Sequence, residues 1–183
     1  MGFDIMPSRM KRIFIAVNLP DEIKESFQKL IEKLPKEKVK AVKKENLHIT
    51  MKFLGDIPEE KLAEIYSKLQ DLNKFVKFEV ELSDIGFFKT RILWIGITKG
   101  KEMLENIAKE IENLLALNKE EFTSHITIAR NKFLGSEEFK LLAGELKKIK
   151  ISGKFTVKSI DVMESVLEKA GSNYKILKRI ELK

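Results

Sequence analysis

The sequence predicts an α+β fold, because segments with strand-like alternation come in neighbouring pairs and segments with helical spacing lie between the pairs. In the segment 75–82, apolar side chains at Val76, Phe78, Val80 and Leu82 alternate with mostly charged ones. No glycine-rich phosphate loop connects a strand to a helix, which argues against a doubly wound parallel sheet. We therefore expect an antiparallel sheet with helices packed outside it, in one domain of 183 residues.

Helices are predicted where apolar residues recur every three or four positions. Pro20 and Pro58 open the first two helices, since proline is favoured at a first helical position, and Ser136 is expected to cap the last one. The predicted helices cover residues 20–34, 58–72, 101–117 and 136–149. The predicted strands cover residues 13–17, 39–42, 47–54, 75–82, 91–98, 122–129, 155–167 and 174–182. Residues 86–89 are expected to form a connecting loop, and residues 171–173 a turn between the last two strands.

The composition excludes several classes of protein. The absence of cysteine excludes a disulfide framework, cysteine-based zinc and iron–sulfur sites, and thiol catalysis. The net charge of +7 fits a polyanionic partner such as RNA, and it equally fits a solvated lysine-rich surface. No apolar run approaches the roughly 18–20 residues that cross a bilayer, so we expect a cytoplasmic protein without membrane contact. Residues 1–9 are expected to form a loose N-terminal extension, with Met10 as an alternative start.

The chain has two histidines, and both stand in the same tripeptide. His48-Ile49-Thr50 and His125-Ile126-Thr127 each fall in a predicted strand. Because alternate side chains of a strand share a face, each strand should present one imidazole and one hydroxyl to a common surface. By the same parity Ile49, Met51 and Phe53 should lie on the buried face of the first of these strands.

Two imidazoles and two hydroxyls form a chemically sufficient set for phosphodiester hydrolysis. One neutral imidazole can take a proton from water while a protonated one gives a proton to a leaving oxygen. The hydroxyls of Thr50 and Thr127 can donate to the non-bridging phosphate oxygens. A lone histidine on a strand is more often structural, and a metal site would need further ligands near His48 and His125, so the duplication carries this interpretation.

At these residues the chain resembles the 2H phosphoesterase superfamily, which carries two H-x-T/S motifs. Within it, the chain is similar to the RNA 2′,3′-cyclic phosphodiesterases, also called 2′-5′ RNA ligase-like proteins. ENLHITMKFLGD at 45–56 resembles the first motif block and FTSHITIAR at 122–130 the second. KRIFIAVNLP resembles the opening strand of the family, and VMESVL at 162–167 a closing strand. Many members have proline before the second histidine, where this chain has Ser124.

The resemblance implies a bilobal fold in which two antiparallel sheets, related by a pseudo-two-fold axis, enclose a cleft. It implies hydrolysis of a terminal RNA 2′,3′-cyclic phosphate to a 2′-phosphate, without a cofactor or metal. By resemblance, His48 is the proton donor, His125 is the proton acceptor, and Thr50 and Thr127 hold the phosphate. The residues alone give the pair of histidines and leave their individual roles open. We expect a monomer that binds RNA ends carrying a cyclic phosphate.

Several further residues have two interpretations each. Arg130 ends the second motif strand and can bind phosphate or serve as a surface residue. Phe87, Phe88 and Tyr174 can stack on a nucleobase or pack in the core, and Trp94 is expected in the core. Two alternative functions stay open at this point: a module that binds an RNA end without turnover, and the reverse joining of RNA ends through a 2′-5′ linkage.

Overall fold

A computed structural model describes residues 8–169 and 171–183. Within them the strands form one antiparallel sheet of nine strands. The strands are β1 Met10–Asn18, β2 Val39–Ala41, β3 His48–Pro58, β4 Phe78–Phe88, β5 Ile92–Lys99, β6 His125–Asn131, β7 Lys154–Val157, β8 Ser159–Glu168 and β9 Gly171–Glu181. The α-helices are α1 Asp21–Ser26, α2 Gln28–Glu32, α3 Leu62–Leu69, α4 Lys101–Leu114 and α5 Ser136–Lys147. The predicted α+β class is therefore confirmed.

The two strands that carry the histidine motifs lie side by side at the middle of the sheet. The strand order is β7-β4-β5-β6-β3-β1-β8-β9, with β2 added to β6, so five strands lie on the β6 side of the junction between β6 and β3 and four on the β3 side. A single residue pair, Ile49 with Ile126, joins the two halves. The two expected sheets are thus one sheet with a narrow connection at the motifs. The pseudo-two-fold axis stays a prediction.

Apolar side chains cover both faces of strand β1, which lies between β3 and β8. Ile13, Ile15 and Val17 belong to the main core, into which α4 also inserts its apolar stripe. Phe14 and Ala16 point to the opposite face and form a second cluster with Met163, against which Tyr174 packs. Each large side chain buried in this way contributes about 1.5–3 kcal/mol. The second cluster lies on the face that carries the histidines, where Phe14 and Tyr174 pack beside His48.

Several predicted element boundaries differ from the structure. The predicted strand 155–167 is two strands, β7 and β8, and the N-cap of α5 is Gly135, so the prediction that Ser136 caps this helix is wrong. Residues 86–88 belong to β4, because Phe88 pairs with Ile92 and the hairpin turns at Lys89, whose φ is 51°. Residues 171–173 start β9, since Gly171 pairs with Glu168. The first helix is interrupted at Phe27 and forms α1 and α2.

Most of the predicted N-terminal extension, residues 1–7, lies outside the described residues. The carbonyl of Arg9 accepts a hydrogen bond from the Glu59 amide, so the described chain is already attached to the fold before β1 begins. Among the described residues, no helix combines the length and apolar character needed to cross a membrane.

Candidate active site

A β-bulge follows the first histidine motif. In the pairing of β3 with β1, Thr50 lies opposite Ala16 and Lys52 lies opposite Ile15, so Met51 is an extra residue without a partner. A bulge shifts the alternation of side chains by one position. Residues before the bulge keep the parity expected from the sequence, and residues after it have the opposite parity.

The second motif carries the same bulge at the same place. In the pairing of β6 with β5, Thr127 lies opposite Trp94 and Ala129 lies opposite Leu93, which leaves Ile128 as the extra residue. The first six residues of β3 and β6 also have the same sequence of half-buried, buried and exposed positions. The internal repeat therefore extends beyond the shared tripeptide to the fifth residue after each histidine.

The two bulges bring Phe53 and Arg130 to the face of the sheet that carries the histidines. The prediction that Phe53 lies in the core is wrong, because 69% of its surface is exposed. A cavity of about 410 Å³ opens beside Phe53, Thr50 and His125. Arg130 is exposed, as expected for a group that could meet a phosphate. Equivalent positions of the repeat thus place an aromatic ring and a guanidinium at the same surface.

The pair of Ile49 and Ile126 brings both histidine motifs together. In an antiparallel pair, the neighbours of a paired residue also face each other, so His48 lies across from Thr127 and Thr50 lies across from His125. The two histidines are diagonal neighbours, which in regular antiparallel sheets are about 7–8 Å apart at Cα. Both imidazoles are only partly buried. All four residues of the predicted set therefore occupy one accessible face.

Both imidazoles are held by the same backbone contact. The His48 Nδ1 lies 2.6 Å from the carbonyl oxygen of Asn46, and the His125 Nδ1 lies 2.7 Å from that of Thr123. A carbonyl oxygen only accepts, so each Nδ1 carries the proton and donates it, and each Nε2 is directed away from that carbonyl. The His48 Nε2 lies 2.9 Å from the Thr50 hydroxyl oxygen.

Aromatic side chains pack beside both imidazoles, and the sequence did not predict these contacts. The rings of Phe14 and Tyr174 lie 5.1 and 5.4 Å from the His48 ring. The rings of Phe88 and Trp94 lie 4.9 and 6.4 Å from the His125 ring. These rings restrict the orientations of the imidazoles and lower the local polarity. Since all four come from other strands, only the strand order could have shown them.

The expectation that Trp94 lies in the core is wrong, since it is half-buried and shares the histidine face of the sheet. The indole of Trp94 lies over the neighbouring strand β4. A Cβ on Gly86 of that strand would be only 2.2 Å from the ring carbons of the indole. A Cβ on Gly96 would be 3.1 Å from the same ring. The two glycines leave the space that the indole fills, because any larger residue would displace it.

The surroundings of both histidines favour their neutral forms. Burial lowers the pKa of His48 from its ordinary value of 6.5, while its hydrogen bond to Asn46 partly opposes this effect, and the charges of His125, Lys24 and Arg130 lower the pKa further. Burial likewise lowers the pKa of His125, the hydrogen bond to Thr123 opposes it, and Arg130 lowers it further. The neighbouring charges are positive, so the site favours an anionic ligand.

The direction of these pKa shifts predicts the pH dependence of the reaction. A group that gives a proton must be protonated, and its pKa in the free protein lies below 6.5. We therefore expect kcat/KM for a cyclic phosphodiester to be highest below pH 6.5 and to fall about tenfold per pH unit on the alkaline side. The variant Arg130→Gln removes a positive charge near both rings, so its alkaline limb should lie at higher pH. Arg12→Gln, at an exposed position of β1, is the control and should leave the limb in place. An unchanged limb in Arg130→Gln would contradict this view of the charges.

In residues 8–169 and 171–183, no three histidine or carboxylate side chains form a group that could hold a metal ion. The strand pairing brings five of the predicted site residues together on one face of the sheet: His48, Thr50, His125, Thr127 and Arg130. The site is an accessible surface that holds two fixed imidazoles and the guanidinium of Arg130.

Comparison with known proteins identifies the class of this site. The model of the family described as LigT-like phosphoesterase matches residues 15–94, which include the first motif. The RNA 2′,3′-cyclic phosphodiesterase of Methanocaldococcus jannaschii is 35% identical over 175 residues, covering 91% of this chain and 98% of the relative. That of Archaeoglobus fulgidus is 31% identical over 93% of this chain and 99% of the relative.

Solved structures of LigT proteins have a fold similar to that of this chain. The E. coli LigT complexed with phosphate has a TM-score of 0.78 and 25% identity, and the match covers 96% of this chain and 99% of that chain. The fold and the site therefore define a phosphoesterase, that is, a hydrolase. The chain belongs to the LigT-like phosphoesterase family.

Proposed function

We propose that this protein hydrolyses the terminal 2′,3′-cyclic phosphate of RNA to a 2′-phosphate, with His48 and His125 as its acid and base. The observation that carries the proposal is the duplicated motif, which brings two imidazoles with the same Nδ1 contact to one face of neighbouring strands. Relatives that match nearly the whole chain are named RNA 2′,3′-cyclic phosphodiesterases. A related structure is described as a complex with phosphate.

Binding of the cyclic phosphate uses the groups between the imidazoles. The hydroxyls of Thr50 and Thr127 donate to the non-bridging oxygens, and the guanidinium of Arg130 supplies positive charge. The negative charge of the bound phosphate raises the pKa of each imidazole, because an opposite charge favours the protonated form. Binding therefore counteracts the lowering by burial and allows one imidazole to be protonated in the complex.

In the hydrolytic step, His125 accepts a proton from water as the water oxygen forms a bond to phosphorus. The bond between phosphorus and the 3′ oxygen breaks, and His48 gives its Nε2 proton to that oxygen. The products are a 2′-phosphomonoester and a free 3′-hydroxyl. This assignment is supported by the hydrogen bonds: Thr50 contacts the Nε2 of His48, while no hydrogen bond within the described residues occupies the Nε2 of His125. An unoccupied Nε2 can accept a proton from water.

The experiment that tests the proposal uses an oligoribonucleotide ending in a 2′,3′-cyclic phosphate. We expect multiple turnovers, a product that carries only a 2′-phosphate, and the same rate with and without EDTA. A 3′-phosphate product would contradict the assigned bond cleavage, and loss of activity restored by zinc or magnesium would contradict metal independence. Tight binding without product would contradict hydrolysis and support a binding module.

A further inference from the structure

A second depression lies beside Asn46 and Tyr174, two residues that contact His48. Its volume is about 310 Å³, and its lining includes Lys40, Lys43, Asn46, Arg130, Ser172 and Tyr174. Three of these side chains are cationic, and no carboxylate contributes to the described lining. We call this depression the basic groove.

Two cations of the basic groove lie side by side despite their mutual repulsion. Lys40 and Arg130 are directly paired residues of β2 and β6, so their side chains lie next to each other on one face. Like charges at opposed positions destabilise a sheet. Within residues 8–169 and 171–183, no salt bridge engages Lys40, Lys43 or Arg130, although lysines elsewhere, such as Lys38, have glutamate partners. An unfavourable local arrangement of this kind is expected where a ligand supplies the missing charge.

The basic groove is continuous with the catalytic face. Tyr174 lines the groove, and its ring packs edge-on against the His48 ring at 5.4 Å. Asn46 also lines the groove, and its carbonyl holds the Nδ1 of His48. Arg130 is shared by the groove and the histidine pair. A ligand whose reactive end lies between the imidazoles can therefore extend past Tyr174 into the groove.

We infer that the basic groove binds the phosphodiester that joins the last two nucleotides of an RNA strand, one nucleotide before the cyclic end. This inference rests on the proposed function. An internucleotide phosphate carries one negative charge and two oxygens that accept hydrogen bonds from lysine ammonium groups. The true substrate class is then an oligonucleotide, because a mononucleotide would leave Lys40 and Lys43 without a partner.

The test compares three substrates with the same cyclic end. They are a nucleoside 2′,3′-cyclic phosphate, the dinucleotide with a normal internucleotide phosphate, and the dinucleotide with a neutral methylphosphonate linkage. We expect the wild-type protein to have a kcat/KM roughly tenfold higher for the normal dinucleotide than for the neutral one. The variant Lys40→Gln/Lys43→Gln should lose this difference and keep the wild-type kcat/KM on the nucleoside cyclic phosphate.

The matched control is Lys140→Gln/Lys148→Gln. It also removes two lysine charges, but from exposed positions of α5 and of the segment after it. It should keep the tenfold preference. Equal wild-type activity on the charged and neutral dinucleotides would overturn the inference, and so would an equal loss on all three substrates in the groove variant. A fourth substrate is a nucleoside 2′,3′-cyclic phosphate that also carries a 5′-phosphate. If its kcat/KM equals that of the normal dinucleotide, the inference is overturned, and the groove binds a free terminal phosphate instead. If the wild-type protein cleaves none of the substrates, the proposed function fails, and the binding of uncleaved dinucleotides still tests the groove.

Discussion

The variant His125→Gln is expected to lower kcat for hydrolysis of an RNA 2′,3′-cyclic phosphate about 10³-fold, and His48→Gln by a similar factor. Glutamine keeps the size and polarity of the side chain, but it can neither accept a proton from water nor give one to the 3′ oxygen. In the proposed mechanism the substrate is bound by Thr50, Thr127 and Arg130, so KM should change much less than kcat. Single-turnover rates measured with saturating protein test the chemical step directly.

The two single variants should be non-additive. In the proposed mechanism His48 and His125 act as acid and base of the same reaction, so His48→Gln/His125→Gln should be hardly slower than either single variant. Both rings are half-buried and each makes one backbone contact, so the variants should unfold at temperatures close to that of the wild type. Lys140→Gln, on the exposed face of α5, is the control for handling and should have full activity. A double variant with the wild-type rate would disprove the acid–base pair.

A substrate with an activated leaving group separates the roles of the two histidines. An aryl phosphodiester releases an oxygen that needs no proton, so the loss of a general acid matters less for its cleavage. If His48 is the proton donor, His48→Gln should recover most of its activity on such an ester, while His125→Gln should stay about 10³-fold slow. The opposite result would exchange the assigned roles.

Strand parity was enough to predict the centre of this site. The alternation in His48-Ile49-Thr50 and in His125-Ile126-Thr127 gives the correct inward and outward sides, because no bulge occurs within either tripeptide. The α+β class also followed from local patterns of strands and helices. These features depend on short stretches of chain, which is why the sequence carries them.

Parity failed immediately after each motif. The bulges at Met51 and Ile128 exist only in relation to the partner strands β1 and β5, and nothing local in the sequence marks them. Phe53 was therefore placed in the core, although it is exposed on the histidine face. Trp94 was assigned to the core for a similar reason, since the space for its ring is provided by Gly86 on another strand. Contacts between distant segments decide these positions.

The bulge at Met51 has a second consequence, because it turns Lys52 toward α4 and buries it. Only 9% of Lys52 is exposed, and its ammonium lies 2.7 Å from Glu112 and 2.8 Å from Glu120. It also donates to the carbonyl of Asn118, and Glu112 accepts from the backbone amide of Glu120. Lys52 thus fixes the segment that precedes Thr123, whose carbonyl holds the Nδ1 of His125. No sequence pattern suggested this role.

The variant Lys52→Met is expected to lower the free energy of unfolding by about 3 kcal/mol, because Glu112 would stay buried without its cation. Activity should fall as well, since the segment before His125 loses its anchor. Lys68→Met is the control: its pair with Glu64 is exposed on α3, so the loss there should be below about 0.5 kcal/mol. Urea unfolding at neutral pH measures both values.

A compensating variant distinguishes the loss of the ion pair from damage to packing. Lys52→Met/Glu112→Leu replaces both charges with apolar groups, and such replacements are often close to neutral, so most of the lost stability should return. The hydrogen bond from Lys52 lowers the pKa of Glu112 below its ordinary value of 4.5. The contribution of the pair is therefore present above about pH 4.5 and is lost as the pH falls further, so wild type and Lys52→Met should become similar in strong acid. If Lys52→Met costs no more than Lys68→Met, the buried pair does not stabilise the fold, and the segment before His125 must be held by its other contacts.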